Sequence, residues 1–345
     1  MIDYLRDNVD ADLTRFVREV PNRADFLLTS QILPPVSVQS PLYKVKTADI
    51  TISTAKMWVH NTPAPYSNID TNRSVTKGNF PLLGGKQAVE EFELIFQNIA
   101  AGGNQLQLEN AVYDNVKNQA TAIWARLELA AGSLLATRKV EISENGFIQT
   151  IAFDKVAGKA IEDNIAANWT GANAKPLSDE QGWVRELRKT GAPKPGIALA
   201  SSELIAKMCA AKEYVSQVYG GANAPTVIAP TQLNEIRARW GLAQLVEYDT
   251  QVFVDGVATR VLPADRLILL PDTAFETVGE TQFGLTADAL VMTTGGNPAL
   301  DAVEAPGIVS TKLGEQDPPT VITRTVAAAL PVLSNPGHFV TAKIA

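Results

Sequence analysis

One cysteine, Cys209, and two histidines, His60 and His338, are all that the 345 residues hold of these types. A lone cysteine excludes an internal disulfide and any zinc site built on several thiolates. Charge is scarce as well. Only 19% of residues are Asp, Glu, Lys or Arg, against roughly 25% in an average soluble domain. No stretch approaches ~18 uninterrupted apolar residues, so no membrane span is expected. The opening MIDYLRDNVDADLTRF is charged and has no apolar run, so no secretory signal is expected. The net charge is −7 and no basic run stands out, which argues against tight nucleic-acid binding.

Chemical motifs are equally thin. Gly84-Gly85-Lys86 resembles the end of a phosphate loop, but Gln87 stands where the hydroxyl residue belongs. Glu90-Glu91 and Asp179-Glu180 fall in first helical turns, where acids favour the helix dipole. Neither histidine has a partner at metal-ligand spacing, and Cys209 reads as a small buried apolar side chain. No Ser sits in a G-x-S-x-G elbow. Asn168-Trp169-Thr170 matches a glycosylation sequon by chance. No catalytic, cofactor-binding or metal residue is expected, and the chain reads as a maker of surfaces.

What is present is an order of pieces. At the C-terminus Thr320–Leu333 (TVITRTVAAALPVL) is apolar and β-rich, Ser334-Asn335-Pro336-Gly337 is a turn, and Val340, Ala342 and Ile344 share one strand face. A closing hairpin is expected there, with Val321–Val332 offered as the partner of the last strand. At the other end Leu13, Phe16, Val17 and Val20 have helical spacing, stopped by Pro21, and Pro34-Pro35 forces an extended stretch. That arm has too little apolar surface to fold alone. Residues 42–84 read as a long polar hairpin that projects, with a Pro- and Asn-rich turn at 61–68.

A helix is predicted over 86–100 and a longer one over 105–135. In the second, Leu108, Val112, Val116, Ala120, Ile123, Leu127, Ala130 and Leu134 hold one face, with Gly132 a candidate early end. Glu144-Asn145-Gly146 marks a second hairpin within 138–153. Residues 177–300 have an α/β rhythm: short apolar strands alternate with capped helices, and Asp255-Gly256 turns a hairpin. Lys117 and Glu128 lie off the apolar stripe of the long helix and are expected to matter little.

This order resembles the major capsid protein of tailed bacteriophages, the lambda-type major head protein with an HK97-like fold. DLTRFVREVPNRADFLLTSQILPP resembles that family's arm, and ARLELAAGSLLATRKVEISENGFIQTIAFD its spine helix and hairpin. RVLPADRLILLPDTAFETVGETQFGL resembles the close of its axial domain, and DPPTVITRTVAAALPVLSNPGHFVTAKIA its terminal strands. The resemblance implies an α+β fold with an N-terminal arm (1–41), an extended loop (42–84), a peripheral domain (85–176 and 301–345, spine helix about 105–135) and an axial domain (177–300). It implies a non-enzymatic subunit of an icosahedral head, built of hexamers and pentamers around DNA held only by weak non-specific contact. Scaffold, portal and decoration proteins are the implied partners, the virion the implied location, and the host bacterial cytoplasm the place of assembly. An encapsulin-like compartment shell is the alternative. The candidate interface residues are Phe16, Lys56, Trp58, Tyr66 and Lys77; no cofactor or metal is implied.

Overall fold

The computed structural model describes residues 9–50, 57, 71–89, 105–144, 147–153, 165–171, 174–219, 225–274, 276–289, 307–316 and 319–345. In chain order these begin with helix α1 (Val9–Glu19), a π-helical turn (Leu28–Ile32), and strands β1 (Pro35–Ser37), β2 (Leu42–Ile50), β3 (Thr71–Asn79) and β4 (Leu82–Val89). The long helix α2 (Gln105–Thr137) leads to β5 (Lys139–Glu144), β6 (Phe147–Ala152) and β7 (Ile165–Ala167). Next come α3 (Pro176–Lys189), β8 (Pro195–Ala200), α4 (Ser202–Ala210), α5 (Lys212–Val218) and α6 (Pro230–Arg239). Strands β9 (Gln244–Glu247), β10 (Gln251–Val254), β11 (Val257–Arg260), β12 (Arg266–Pro271) and β13 (Gly279–Gly284) follow. The chain closes with β14 (Val309–Gln316), β15 (Pro319–Leu333) and β16 (Val340–Ile344).

Two compact units result, and each gathers separated stretches of chain. The first holds Met1–Tyr43, Lys77–Ala130 and Glu280–Pro331; the second holds Lys44–Thr76, Ala131–Gly279 and Val332–Ala345.

In the first unit a sheet runs β1-β13-β15-β14, with β4 also paired to β15. β15 is antiparallel to β14 and to β4 at once, sharing residues Val321–Val326 between both ladders. Beyond Arg324, which pairs with Asp288, β15 is uncharged and buried from Thr325 through Leu333. Against this sheet lies the apolar stripe of α2. Val112, Val116, Ala120, Ile123 and Leu127 join Leu13 and Val17 of α1 and Phe283, Ile308, Ala327 and Ala329 of the strands in one core. At 33 residues α2 is about 50 Å long.

The second unit has the sheet β7-β16-β12-β8-β9. β12 is antiparallel to β16 and β8, β9 is parallel to β8, and β7 is parallel to β16. Helices α3 to α6 bury Leu187, Leu204, Met208, Tyr214, Leu233 and Ile236 with Leu267, Leu269, Val340 and Ala342 of the sheet. Local signals set these elements. Ser201 caps α4, its side chain accepting from the Leu204 amide at 3.1 Å. Asp255 and Gly256 sit at φ 50° and 79°, the type I′ geometry that twists a two-residue hairpin correctly.

Three expectations are corrected. Residues 86–89 are strand, not helix: β4 pairs with β15, and ladder hydrogen bonds override the helical spacing of Val89, Phe92 and Phe96. The remainder of the expected 86–100 helix lies outside the described residues. The terminal hairpin does not form, because β16 pairs with β12 and β7 while β15 pairs with β14 and β4. Gly132 does not end α2. A Cβ there would stand 2.2 Å from the Val261 carbonyl oxygen, so the glycine permits a close backbone approach. The helix ends at Thr137, followed by Arg138 at φ 57°. The buried Arg138 guanidinium donates to the Pro336 and Phe339 carbonyls at 3.0 Å each and lies 4.3 Å over the Phe339 ring.

Candidate assembly surfaces

The N-terminal arm is seated by a carboxylate. Leu28 and Thr29 open the π-helical turn, and both backbone amides donate to Glu128 of α2 at 2.9 Å. The Thr29 hydroxyl donates to the same carboxylate at 2.6 Å. Glu128 is fully buried, which corrects the expectation that it lies idle off the stripe. Three donors converging on one carboxylate offset the desolvation of its charge. Further along the arm, Thr14 donates to the Ser310 carbonyl at 3.0 Å, and Phe16 meets Tyr113 edge-on with centroids 4.8 Å apart. The structure thus places Phe16 against its own subunit, half-buried beside the core.

Beyond the arm, β2 and β3 pair as a two-stranded sheet. Its base is anchored: Tyr43 and Val45 are buried, and Tyr43 meets Phe80 with centroids 5.8 Å apart. A Cβ at Gly78 would collide with the Tyr43 ring. Farther out the side chains turn to solvent, with Val75, Lys77 and Met57 exposed. Lys56, Trp58 and Tyr66 lie outside the described residues, as does His60.

Elsewhere the chemical groups are spent inside the fold. Gly84-Gly85-Lys86 is extended strand, and a Cβ at Gly84 would stand 2.3 Å from the Thr325 carbonyl oxygen. Gly84 serves strand contact, not a phosphate. Glu180 is not a surface acid at a helix start, as expected, but a fully buried partner of Arg237 at 2.5 Å. Its neighbour Asp179 accepts from the Trp169 indole at 2.9 Å. Burial raises the Glu180 carboxyl against the pull of Arg237, and burial with the Glu180 charge pushes the Tyr214 hydroxyl up, so it stays protonated. Both Glu180 and Arg237 lack solvent access, so the cluster offers nothing a substrate could reach.

His338 Nδ1 lies 2.5 Å from Glu276 Oε1, which also accepts from Asn335 at 3.1 Å. Cys209 is buried, and burial pushes its thiol up. Among the described residues no group of three His, Cys, Asp or Glu could hold a metal, and no helix is long and apolar enough to cross a membrane.

Sequence reasoning missed Glu128, Arg138 and Arg237 because each is a charged residue whose partner lies in a distant segment. Nothing local marks such residues. The exposed apolar residues cluster more legibly, on the β10–β11 hairpin (Phe253, Val257) and beside α6 (Trp240).

The comparisons with known proteins agree with this architecture. A family model described as phage major capsid protein E matches residues 11–344. No curated protein sequence matches the chain. Among solved structures, a prophage capsid protein from E. coli CFT073 is similar with TM-score 0.64 and 17% identity, covering 97% of this chain and 99% of that one. A phage-related protein from Bordetella bronchiseptica RB50 has TM-score 0.54 and 10% identity over 97% and 96% of the two chains. The mature capsid of bacteriophage PhiM1 has TM-score 0.50 and 10% identity over 91% and 86%. The fold is that of these capsid proteins, HK97-like.

Proposed function

The chain belongs to the phage major capsid protein E family and is a structural subunit of a phage capsid; from that membership we propose that it self-assembles, without catalysis, into hexamers and pentamers that close an icosahedral head around DNA. The observation carrying this reading is the family match over residues 11–344. A phage head fits better than an encapsulin-like compartment, because the matching family is one of phage capsids.

In this reading residues 177–300 form the axial domain, and residues 85–176 with 301–345 the peripheral domain around the spine helix. The arm and the 42–84 loop reach neighbours. Lys56, Trp58, Tyr66 and Lys77 of that loop are the proposed contacts, since a two-stranded ribbon is marginally stable in water alone and gains from a covering subunit. Phe16, packed on Tyr113, fixes the start of the arm. Portal, scaffold and decoration proteins are the proposed further partners, with assembly in the host cytoplasm. A net charge of −7 suits a shell to which packaged DNA does not adhere.

Electron microscopy and sedimentation of the purified chain test the proposal. Rings or closed shells are expected on concentration; a stable monomer under every salt condition overturns it.

A further inference from the structure

The second unit carries a basic groove and an apolar hairpin at opposite ends of one strand. The groove is lined by Val184, Arg185, Arg188 and Lys189 of α3, by Lys194, and by Trp240 just past α6. No acid lines it, although Glu186 holds Lys189 at 2.7 Å. Arg185, Arg188 and Lys194 are exposed, and Trp240 is 50% exposed. Four cations around a half-bare indole are a concentrated positive site on a chain whose net charge is −7.

The hairpin is its complement. Phe253 is 78% and Val257 66% exposed. Phe253 pairs with Ala258 and Val254 with Val257, so apolar side chains occupy both faces of the ribbon, and Asp255 stands at its turn. A ribbon this small gains nothing from baring apolar groups to water.

Placement decides what meets what. Strands β8 and β9 are parallel, and Lys194, Trp240 and Leu242 lie just before their starts. The hairpin begins just after the end of β9, where Tyr248 still donates to the Ala200 carbonyl at 2.9 Å. Groove and hairpin thus lie at opposite ends of β9. A surface complementary to a different surface of the same molecule makes a head-to-tail contact, which closes into a ring when the rotation allows. We propose that the β10–β11 hairpin of one copy seats in the groove of the next copy, with Phe253 and Val257 against Trp240 and Val184 and the Asp255 carboxylate facing Arg185 and Arg188.

This rests on the shell-subunit reading above, and the test separates the two. Val257→Cys with Gln181→Cys, a groove residue, is assembled and mildly oxidised. The expected result is a ladder of cross-linked copies on a non-reducing gel, absent from either single variant. Assembly without a ladder overturns the inference and leaves the shell reading standing. Failure of the unmodified protein to assemble overturns both.

If the cysteine pair itself blocks assembly, charge exchange decides. R185E/R188E should keep its thermal unfolding profile yet raise the concentration needed for rings at least tenfold, with recovery on adding Asp255→Lys. Unchanged assembly, or no recovery, overturns the inference. Retention of a short DNA oligonucleotide by the unmodified protein, lost in R185E/R188E and without any ladder, assigns the groove to nucleic acid and also overturns it.

Discussion

The two units bury their carboxylates in opposite ways. In the α/β unit Glu180 meets a full opposite charge, Arg237, and both lie out of reach of water. In the unit of the arm and long helix, Glu128 meets three neutral donors from Leu28 and Thr29. The first arrangement joins two helices, α3 and α6, within one continuous stretch of chain. The second fastens a segment to a helix that lies about a hundred positions along the sequence. A cation locks a permanent core, whereas a carboxylate reading backbone amides fixes where a strap is seated. The difference suits a shell subunit that combines a rigid tile with an arm.

The largest effect should come from unbalancing the ion pair. Arg237→Met takes the cation away from a carboxylate buried in the core, and breaking a buried pair in this way costs about 3–5 kcal/mol. Denaturant unfolding of the whole subunit would measure it. Adding Glu180→Leu should return most of that loss, because replacing both partners by apolar groups of similar volume is close to neutral. No recovery would mean that the pair does more than neutralise itself, and that the contrast between the units is drawn wrongly.

The long helix sharpens the other side. Leu127→Ala empties a position that is 1% exposed in the core with α1 and β15, at ~2–5 kcal/mol. Next door, Glu128→Ala removes no apolar packing but strands the Leu28 and Thr29 amides and the Thr29 hydroxyl, a loss of roughly 1–3 kcal/mol in all. The two losses should differ in where they appear. Leu127→Ala should lower protection from hydrogen exchange across the sheet and helix together. Glu128→Ala should lower it first in residues 28–33, while α2 stays protected. Loss spread evenly in both variants would show that the arm and the helix form one cooperative block.

These two carboxylates also mark where the sequence was readable. The spacing of Val112, Val116, Ala120, Ile123 and Leu127 placed the long helix and its buried face, because that periodicity is written in neighbouring turns. Asp255-Gly256 was legible as a turn for the same reason. The pairing of β4 with β15, the strand β14 and the separation of β15 from β16 were not. A sheet partner more than two hundred residues away leaves no local mark, and Val89 fits a helix pattern as well as a strand edge. Glu128, Arg237 and Arg138 escaped for a related reason: a charged residue looks solvated until the segment that meets it is placed. At the surface, the exposed Phe253 and Val257 needed the hairpin's faces before they stood apart from ordinary strand residues.

A third carboxylate, half wet, gives the smallest effect and fixes the scale. Asp249 lies between β9 and β10, where it accepts from the Ser202 amide at 3.0 Å and pairs with Arg260. Partial burial would raise its carboxyl, but the Ser202 hydrogen bonds and the Arg260 charge outweigh that and hold it below the ordinary carboxylate value. A carboxyl depressed on folding adds stability that is present above its unfolded value, near 3.9, and is lost as pH falls through the lower folded value. With its side chain 26% exposed, screening keeps the contribution small, about 1 kcal/mol at neutral pH. Asp249→Asn should lower stability by that amount at pH 7, and the gap from the unmodified protein should narrow as pH falls below the unfolded value near 3.9. Urea midpoints measured from pH 7 down to pH 2.5 would show it. A gap that persists at the acid end would mean that the loss is one of packing, and that Asp249 braces the hairpin by shape, not by charge.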